Sequence, residues 1–270
     1  MGCAIQGFAR PLILIKNSFL TFMLDHILTQ LDQISLEEMS GVKLMNRIDT
    51  KFLTTSDYLE KLLCLAKNDF FIQEINEIRN APYYTRYYDT SDVRMFYDHQ
   101  RGKKSRRKVR IREYVNSGIT PFLEIKDKNN KGRTKKKRVS MENGDKIINY
   151  GDFISSHSEF NAFDLDAKIE NRFDRITLVN KEKTERITID TSLEFHNFVT
   201  HRNLSLPKLV IIEWKRDGFA TNSCLKPLLR QLRIKERSFS KYIMGMALTD
   251  SDLPHNKIKN RINLLYKMIK

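Results

Sequence analysis

The sequence predicts an α+β fold: an antiparallel sheet with a charged face turned to a wet interior and an apolar face packed under helices. Two observations point there. Strand after strand alternates charged with apolar residues at a period of two. Like charges also recur at spacing two, as in Arg110/Arg112 and Lys126/Lys128, and such neighbours repel unless an anion sits between them. A half-solvated sheet gives the same alternation in any single strand. If the strands close into a barrel, the apolar face must pack outward and the charged face becomes a lumen.

The elements follow in order. Leu24, Ile27, Leu28, Leu31 and Ile34 recur at helical spacing, which predicts an amphipathic helix over about residues 24–39. Residues 42–53 read as a strand, with Arg47, Asp49 and Lys51 on one face and Ile48, Thr50 and Phe52 on the other. Thr55, Ser56 and Asp57 are N-cap material for a helix carrying Leu59, Leu62, Leu63 and Ala66. Residues 70–78 and 83–89 are aromatic and β-branched strand candidates, broken at Ala81-Pro82.

In the centre, Lys108, Arg110, Arg112 and Tyr114 share a face opposite Val109 and Ile111. Phe122, Glu124, Lys126 and Lys128 do the same opposite Leu123 and Ile125, and Asn129-Asn130-Lys131-Gly132 reads as a hairpin loop. Residues 135–141 return as a basic strand in which Lys136 and Arg138 share the face favoured for the lumen over Lys135 and Lys137. Residues 144–168 read as helix plus loop. Residues 172–179 and 185–193 form a hairpin with Arg186, Thr188 and Asp190 on one face. Leu209, Ile211, Glu213 and Lys215 alternate with Val210, Ile212 and Trp214; helical pattern then runs from Asn222, ending with Ile258, Ile262, Leu265 and Ile269.

Composition narrows the class. A chain of 270 residues, 40% hydrophobic and 30% charged, is neither disordered nor collagenous. With no repeat or Pro/Ser-rich linker, residues 23–270 are expected to be one domain. Residues 1–22 are expected to be a poorly ordered extension, or to precede a start at Met23. Cys3, Cys64 and Cys224 are far apart and show no zinc spacing, which fits a reducing cytoplasm. No apolar run is long enough for a membrane helix. The net charge of +15 is local: residues 101–138 hold 16 basic and three acidic residues, +13 of the excess. That demands an anionic partner.

A basic lumen suits a linear polyphosphate, because arginine offers a planar fork to phosphate oxygens and lysine a compact charge. The few carboxylates on the strands suit Mg²⁺ or Mn²⁺, hard cations that bridge carboxylates and phosphates. Plainer roles stand beside these. The run 101–108 reads equally as a solvated loop or a nonspecific polyanion patch, with Lys108 the residue of it expected to enter the strand and the role of 101–107 left open. Tyr83, Tyr84, Tyr87 and Tyr88 could stack an adenine or simply pack. Trp214 reads as outer core. His99, His196 and the other histidines show no catalytic pairing and read as surface or loop residues. Asp190 fits either a metal or a lumen arginine.

Nine motifs in order carry a family resemblance: Arg-Ile-Asp-Thr-Lys-Phe (47–52), Tyr-Tyr-Asp-Thr (87–90), Lys-Val-Arg-Ile-Arg-Glu-Tyr (108–114), Phe-Leu-Glu-Ile-Lys (122–126), Lys-Lys-Lys-Arg (135–138), Asn-Arg-Phe-Asp-Arg (171–175), Arg-Ile-Thr-Ile-Asp (186–190), Ile-Ile-Glu-Trp-Lys (211–215) and Ser-Phe-Ser-Lys-Tyr (238–242). In these the sequence resembles the polyphosphate polymerase domain of the vacuolar transporter chaperone (VTC) proteins, within the triphosphate tunnel metalloenzyme, or CYTH-like, superfamily. The resemblance implies an eight-stranded antiparallel tunnel that moves the γ-phosphate of ATP onto a polyphosphate chain with Mn²⁺ or Mg²⁺. It implies catalytic roles for Lys51, Arg110, Arg112, Lys126 and Glu213, and phosphate binding by Lys108, Lys136, Arg138, Arg175, Arg186, Lys215, Ser240 and Lys241. The metal falls to Glu213, with Glu124 and Asp190 as further candidates. Asp49 stands where the CYTH branch carries paired glutamates, which departs from that branch's multi-carboxylate site. The phosphate-sensing and membrane domains of eukaryotic members have no counterpart here, which implies a separate membrane-protein partner for export.

Two other functions compete. An inorganic triphosphatase on the same fold would release phosphate without chain growth. A non-enzymatic polyphosphate or nucleic-acid binder would show salt-sensitive polyanion binding that survives Glu213→Gln. No helix-turn-helix, zinc finger or RNP-type pattern supports specific nucleic-acid recognition.

Overall fold

The computed structural model describes residues 18–40, 47–115, 118–130, 134–218 and 223–270. The chain opens with helix α1 (Ser18–Thr29), strand β1 (Gln33–Ile34) and helix α2 (Leu36–Ser40). The single helix expected over 24–39 is thus broken. Ser35 and Glu38 form a reciprocal cap, Ser35 N donating to Glu38 Oε2 (2.9 Å) and Glu38 N to Ser35 Oγ (3.2 Å). That local pairing starts a new helix and frees residues 33–34 to pair in parallel with β3 (Phe70–Gln73). The expected boundary at Met23 falls inside α1, and residues 1–17 lie outside the described residues.

Strand β2 (Arg47–Thr55) runs into α3 (Ser56–Ala66), which buries Leu59, Leu62, Leu63 and Ala66 as its spacing predicts; the part of the expected strand at 42–46 lies outside the described residues. β4 (Asn80–Asp89) continues through Pro82, contrary to the expected break; its ladder to β5 (Arg106–Tyr114) begins only at Tyr83, beyond the missing N–H. Between them α4 (Arg94–Gln100) is anchored by buried Asp89, which accepts from Met95 N and Phe96 N (2.9 Å each) and from the Tyr242 hydroxyl. This assigns the Asp of the 87–90 motif a structural task. β6 (Phe122–Lys128), β7 (Thr134–Ser140), α5 (Gly151–His157), β8 (Asp166–Asn180), β9 (Glu185–Asn197), β10 (Asn203–Leu206) and β11 (Leu209–Asp217) follow, then α6 (Leu225–Gln231), α7 (Lys241–Thr249) and α8 (Lys259–Ile269).

Eight strands form one antiparallel path in the order β2, β11, β9, β8, β4, β5, β6, β7. The sheet curls into a half-barrel. Lys126 on β6 lies within electrostatic reach of Asp49 and Lys51 on β2 and Glu213 on β11, strands from the opposite end of the order. Helices pack outside, as the alternation requires. α1, α3 and α6 cover Ile176, Leu178, Ile187, Ile189, Ile212 and Trp214. α4 and α5 cluster with Val109, Ile111, Leu123 and Ile125. α7 enters one end of the interior: Leu53, Leu209 and Ile211 share the face of Lys51 and Glu213, and they cluster with Tyr242, Ile243 and Met246. Along the same face the strands turn polar beyond those residues, with Lys51 and Asp49 on β2 and Glu213 and Lys215 on β11.

Candidate functional site

On β5, β6 and β7 the alternation sets two rows side by side across the strands. Lys108, Lys126 and Lys136 are register partners, and so are Arg110, Glu124 and Arg138. In the second row Glu124, only 1% exposed, takes Arg110 at 2.6 Å from Nη2 and 2.8 Å from Nε. Lys136 Nζ adds a diagonal bond at 2.9 Å. Burial alone would raise the Glu124 carboxyl; Arg110, Arg112 and Lys136 outweigh it and hold the group down to about 2. The first row is all lysine. Directly opposed like charges are destabilising, and burial, then Lys126 and Arg110, push the Lys108 ammonium down to about 7. Lys126 is lowered too, chiefly by burial.

The facing wall comes from β2, β11, β9 and β8. Register pairs Lys51 with Glu213, Asp49 with Lys215, Lys215 with Arg186, and Asp190 with Arg175. Glu213 is gripped by Lys51 on one oxygen and Lys215 on the other. Against the penalty of burial, Lys215 and Lys51 hold its carboxyl well below the usual range. Lys215 is itself lowered to about 8, burial outweighing the pull of Glu213. Arg175 forks onto Asp190, Nε to Oδ1 at 2.6 Å and Nη2 to Oδ2 at 2.8 Å. Lys241 reaches the same carboxylate. Burial would raise Asp190, but Arg175 and Lys241 hold it below the usual range.

The start of α7 ties the two walls together. Ser240 caps the helix by accepting from Ile243 N (3.4 Å), and also accepts from Lys108 Nζ at 2.9 Å. Lys241 stands 3.3 Å over the centre of the Phe173 ring, and burial lowers it to about 7 in spite of Asp190. Tyr83 stacks on Phe173 with centroids 5.3 Å apart, and Arg175 and Arg112 lie over Tyr83 at 4.9 and 5.8 Å. These rings are thus packing for the arginines. Tyr84 faces outward, bound to Glu170, and Tyr87 packs on Tyr242 at 5.3 Å.

Every residue that the resemblance marks for catalysis, phosphate or metal lies on this inner face or at the head of α7, and Trp214 lies in the outer core under the helices, as expected. Two expectations need correction. His99 is not in a loop: it lies half-buried in α4 near Lys108 and Arg106, and burial, then those charges, drive it down to about 3. The 101–107 run is only partly loop, because β5 begins at Arg106. Arg107 turns outward to Asp127 and Glu159, while Arg106 shares the face of Lys108. Sequence reasoning missed Arg106 as a candidate, although its spacing from Lys108 was the available signal.

The three carboxylates proposed for metal sit apart, each held by two cations, and among the described residues no three His, Cys, Asp or Glu side chains group as a metal site. This donor set suits an ion held by one carboxylate together with phosphate oxygens of a substrate, as Mg²⁺ commonly is.

The VTC domain model matches residues 46–249, most of the chain and all eight strands of the path. The chain belongs to the VTC domain family. No curated protein matches it. Among solved structures, a candidate adenylate cyclase from Vibrio parahaemolyticus is similar at 12% identity and TM-score 0.45, covering 75% of this chain and 99% of that one. One from Bacillus halodurans gives 12% and 0.45, with 74% and 98% covered. A candidate adenylyl cyclase from Hippeastrum, described as revealing a dominant triphosphatase activity, gives 14% and 0.44, with 78% and 99% covered. In this VTC domain no described helix is long and apolar enough to cross a membrane.

Proposed function

We propose that this VTC domain is a metal-dependent phosphotransferase that moves the γ-phosphate of ATP onto a growing polyphosphate chain held in the half-barrel. The observation that carries the reading is the row Lys108–Lys126–Lys136, three lysines in register on adjacent strands with no carboxylate in the row. Such a row is unfavourable alone and favourable around a chain of phosphates. Arg110 and Arg112 extend it as forked donors, Lys51, Arg175, Arg186 and Lys215 bring charge from the facing wall, and Lys241 adds its charge from the head of α7. In phosphoryl transfer most of the catalysis is positioning and charge stabilisation, which this chain's own cations can supply.

Glu213 is the residue that would hold a divalent ion, Mn²⁺ or Mg²⁺, with Lys51 and Lys215 released toward phosphate oxygens. When bound, the ion would neutralise charge on the transferring phosphoryl group. Glu124 and Asp190 act in this reading as counter-ions that hold Arg110, Lys136, Arg175 and Lys241 in place before substrate arrives.

The test is the purified chain with ATP and Mn²⁺, followed by ³¹P NMR. Internal-phosphate resonances of polyphosphate are expected to grow, and Glu213→Gln should lower turnover far more than ATP binding. Orthophosphate alone as product would replace the polymerase reading with a triphosphatase, and bound ATP with no turnover would leave a binding module.

A further inference from the structure

Three consecutive residues at the head of α7 bond three different strands. Ser240 Oγ accepts from Lys108 Nζ on β5 at 2.9 Å, Lys241 bonds Asp190 on β9, and the Tyr242 hydroxyl donates to Asp89 at the end of β4. The first two belong to the site. Tyr242 is 1% exposed and Asp89 0%, so neither is open to a ligand.

The Tyr242 bond ends on a fixed point. Asp89 Oδ1 accepts from Thr90 N at 2.8 Å and from Met95 N at 2.9 Å, and Oδ2 accepts from Phe96 N at 2.9 Å and from the tyrosine. Backbone donors from residues 90–96 thus orient the carboxylate independently of α7. Burial, then Asp89, hold the Tyr242 hydroxyl well above its usual pKa, so it keeps its proton and donates. Its ring packs on Tyr87 with centroids 5.3 Å apart, and the Tyr87 hydroxyl lies 3.5 Å from Arg110 Nη1. One hydrogen bond and one ring contact together set where α7 stands against β4. The neighbouring bonds hold it less firmly. Lys108 and Lys241 reach their partners on long flexible stems, and both turn toward phosphate in the reading above.

With the interior read as a phosphate-chain site, we propose that Tyr242 is a positioning residue of that site: its hydroxyl bond to Asp89 sets the head of α7 so that Ser240 and Lys241 meet the same phosphates as Lys108. Without the bond α7 keeps its apolar contacts with Leu53, Leu209 and Ile211 but loses its one fixed polar anchor to β4. A displacement on the order of 1 Å spoils a hydrogen bond aimed at phosphate.

The test is tripolyphosphate binding to the full chain, measured by calorimetry with Tyr242→Phe, which keeps the ring and removes the hydroxyl. All proteins are measured in the cold and in sucrose, which favours the folded state, with circular dichroism to show that each is folded. Binding should weaken about tenfold. In a Ser240→Ala/Lys241→Met background the same change should alter affinity by less than about twofold, because the groups it positions are gone. A general loosening of the fold would weaken binding by the same factor in both backgrounds, and that result overturns the proposal. Tyr242→Phe binding like the wild type overturns it as well. If the wild type does not bind tripolyphosphate, the phosphate-chain reading fails and the positioning role falls with it.

Discussion

Replacing Glu124 by glutamine separates a counter-ion from a metal ligand. The carboxylate is buried between Arg110 and Lys136, and its proton affinity is held down to about 2 from an ordinary 4.5. A depression of that size corresponds to about 3 kcal/mol of folding stability at neutral pH. Because the folded pKa is the lower one, this stability is present above pH 4.5 and is lost as pH falls through 2. Glu124→Gln removes it at all pH values and strands Arg110 without its carboxylate, a loss in the range of a broken buried pair. For a chain of this length the melting temperature should drop by on the order of 10 °C. Tripolyphosphate should recover much of that, since its oxygens replace the missing carboxylate, and the ligand-induced rise in melting temperature should be larger in the variant than in the wild type. Differential scanning calorimetry with and without tripolyphosphate reads both effects. Unchanged stability combined with a weakened response to Mn²⁺ would refute the counter-ion argument and return Glu124 to the metal.

Two further outcomes follow from the same geometry. A Cβ at Gly245 would meet Phe195 Cδ1 at 2.6 Å and Ile169 Cδ1 at 2.7 Å, so Gly245→Ala should cost about 1–3 kcal/mol despite alanine's better helix propensity and should weaken tripolyphosphate binding by displacing Ser240 and Lys241; a higher melting temperature would contradict this packing. Lys108 loses its proton near 7 when folded and near 10.5 when unfolded, so the unfolded state binds more protons in that window and ligand-free stability should rise with pH across it; a Lys108→Met variant should show a flatter rise, and an equal slope would show that Lys108 does not cause it.

The inner face was legible because its signal is local. Lys108, Arg110 and Arg112 declare their face through the apolar residues between them, and the same holds for Glu213 and Lys215. Pairing was not legible, since it depends on distant chain: Lys241 meets Asp190 across 51 positions, and Lys51 meets Glu213 across 162. The helix expected over 24–39 failed on a different account. The Ser35-to-Glu38 cap lay in the sequence, but the apolar spacing that ran across it masked the break. His99 was misjudged because α4 is short and the charges around it, Lys108, Arg106 and Arg261, come from other elements that its own periodicity does not reveal.

The central claim is that a phosphate chain lies inside the half-barrel, against the lysine row. A structure of the full chain with tripolyphosphate and Mn²⁺ tests it most directly. The account predicts phosphate density between β5, β6 and the start of α7, within bonding distance of Lys108, Arg110, Lys126 and Ser240, with the ion beside Glu213. Phosphates found on the outer surface instead, at the 101–105 loop or along Lys135 and Lys137, would contradict it.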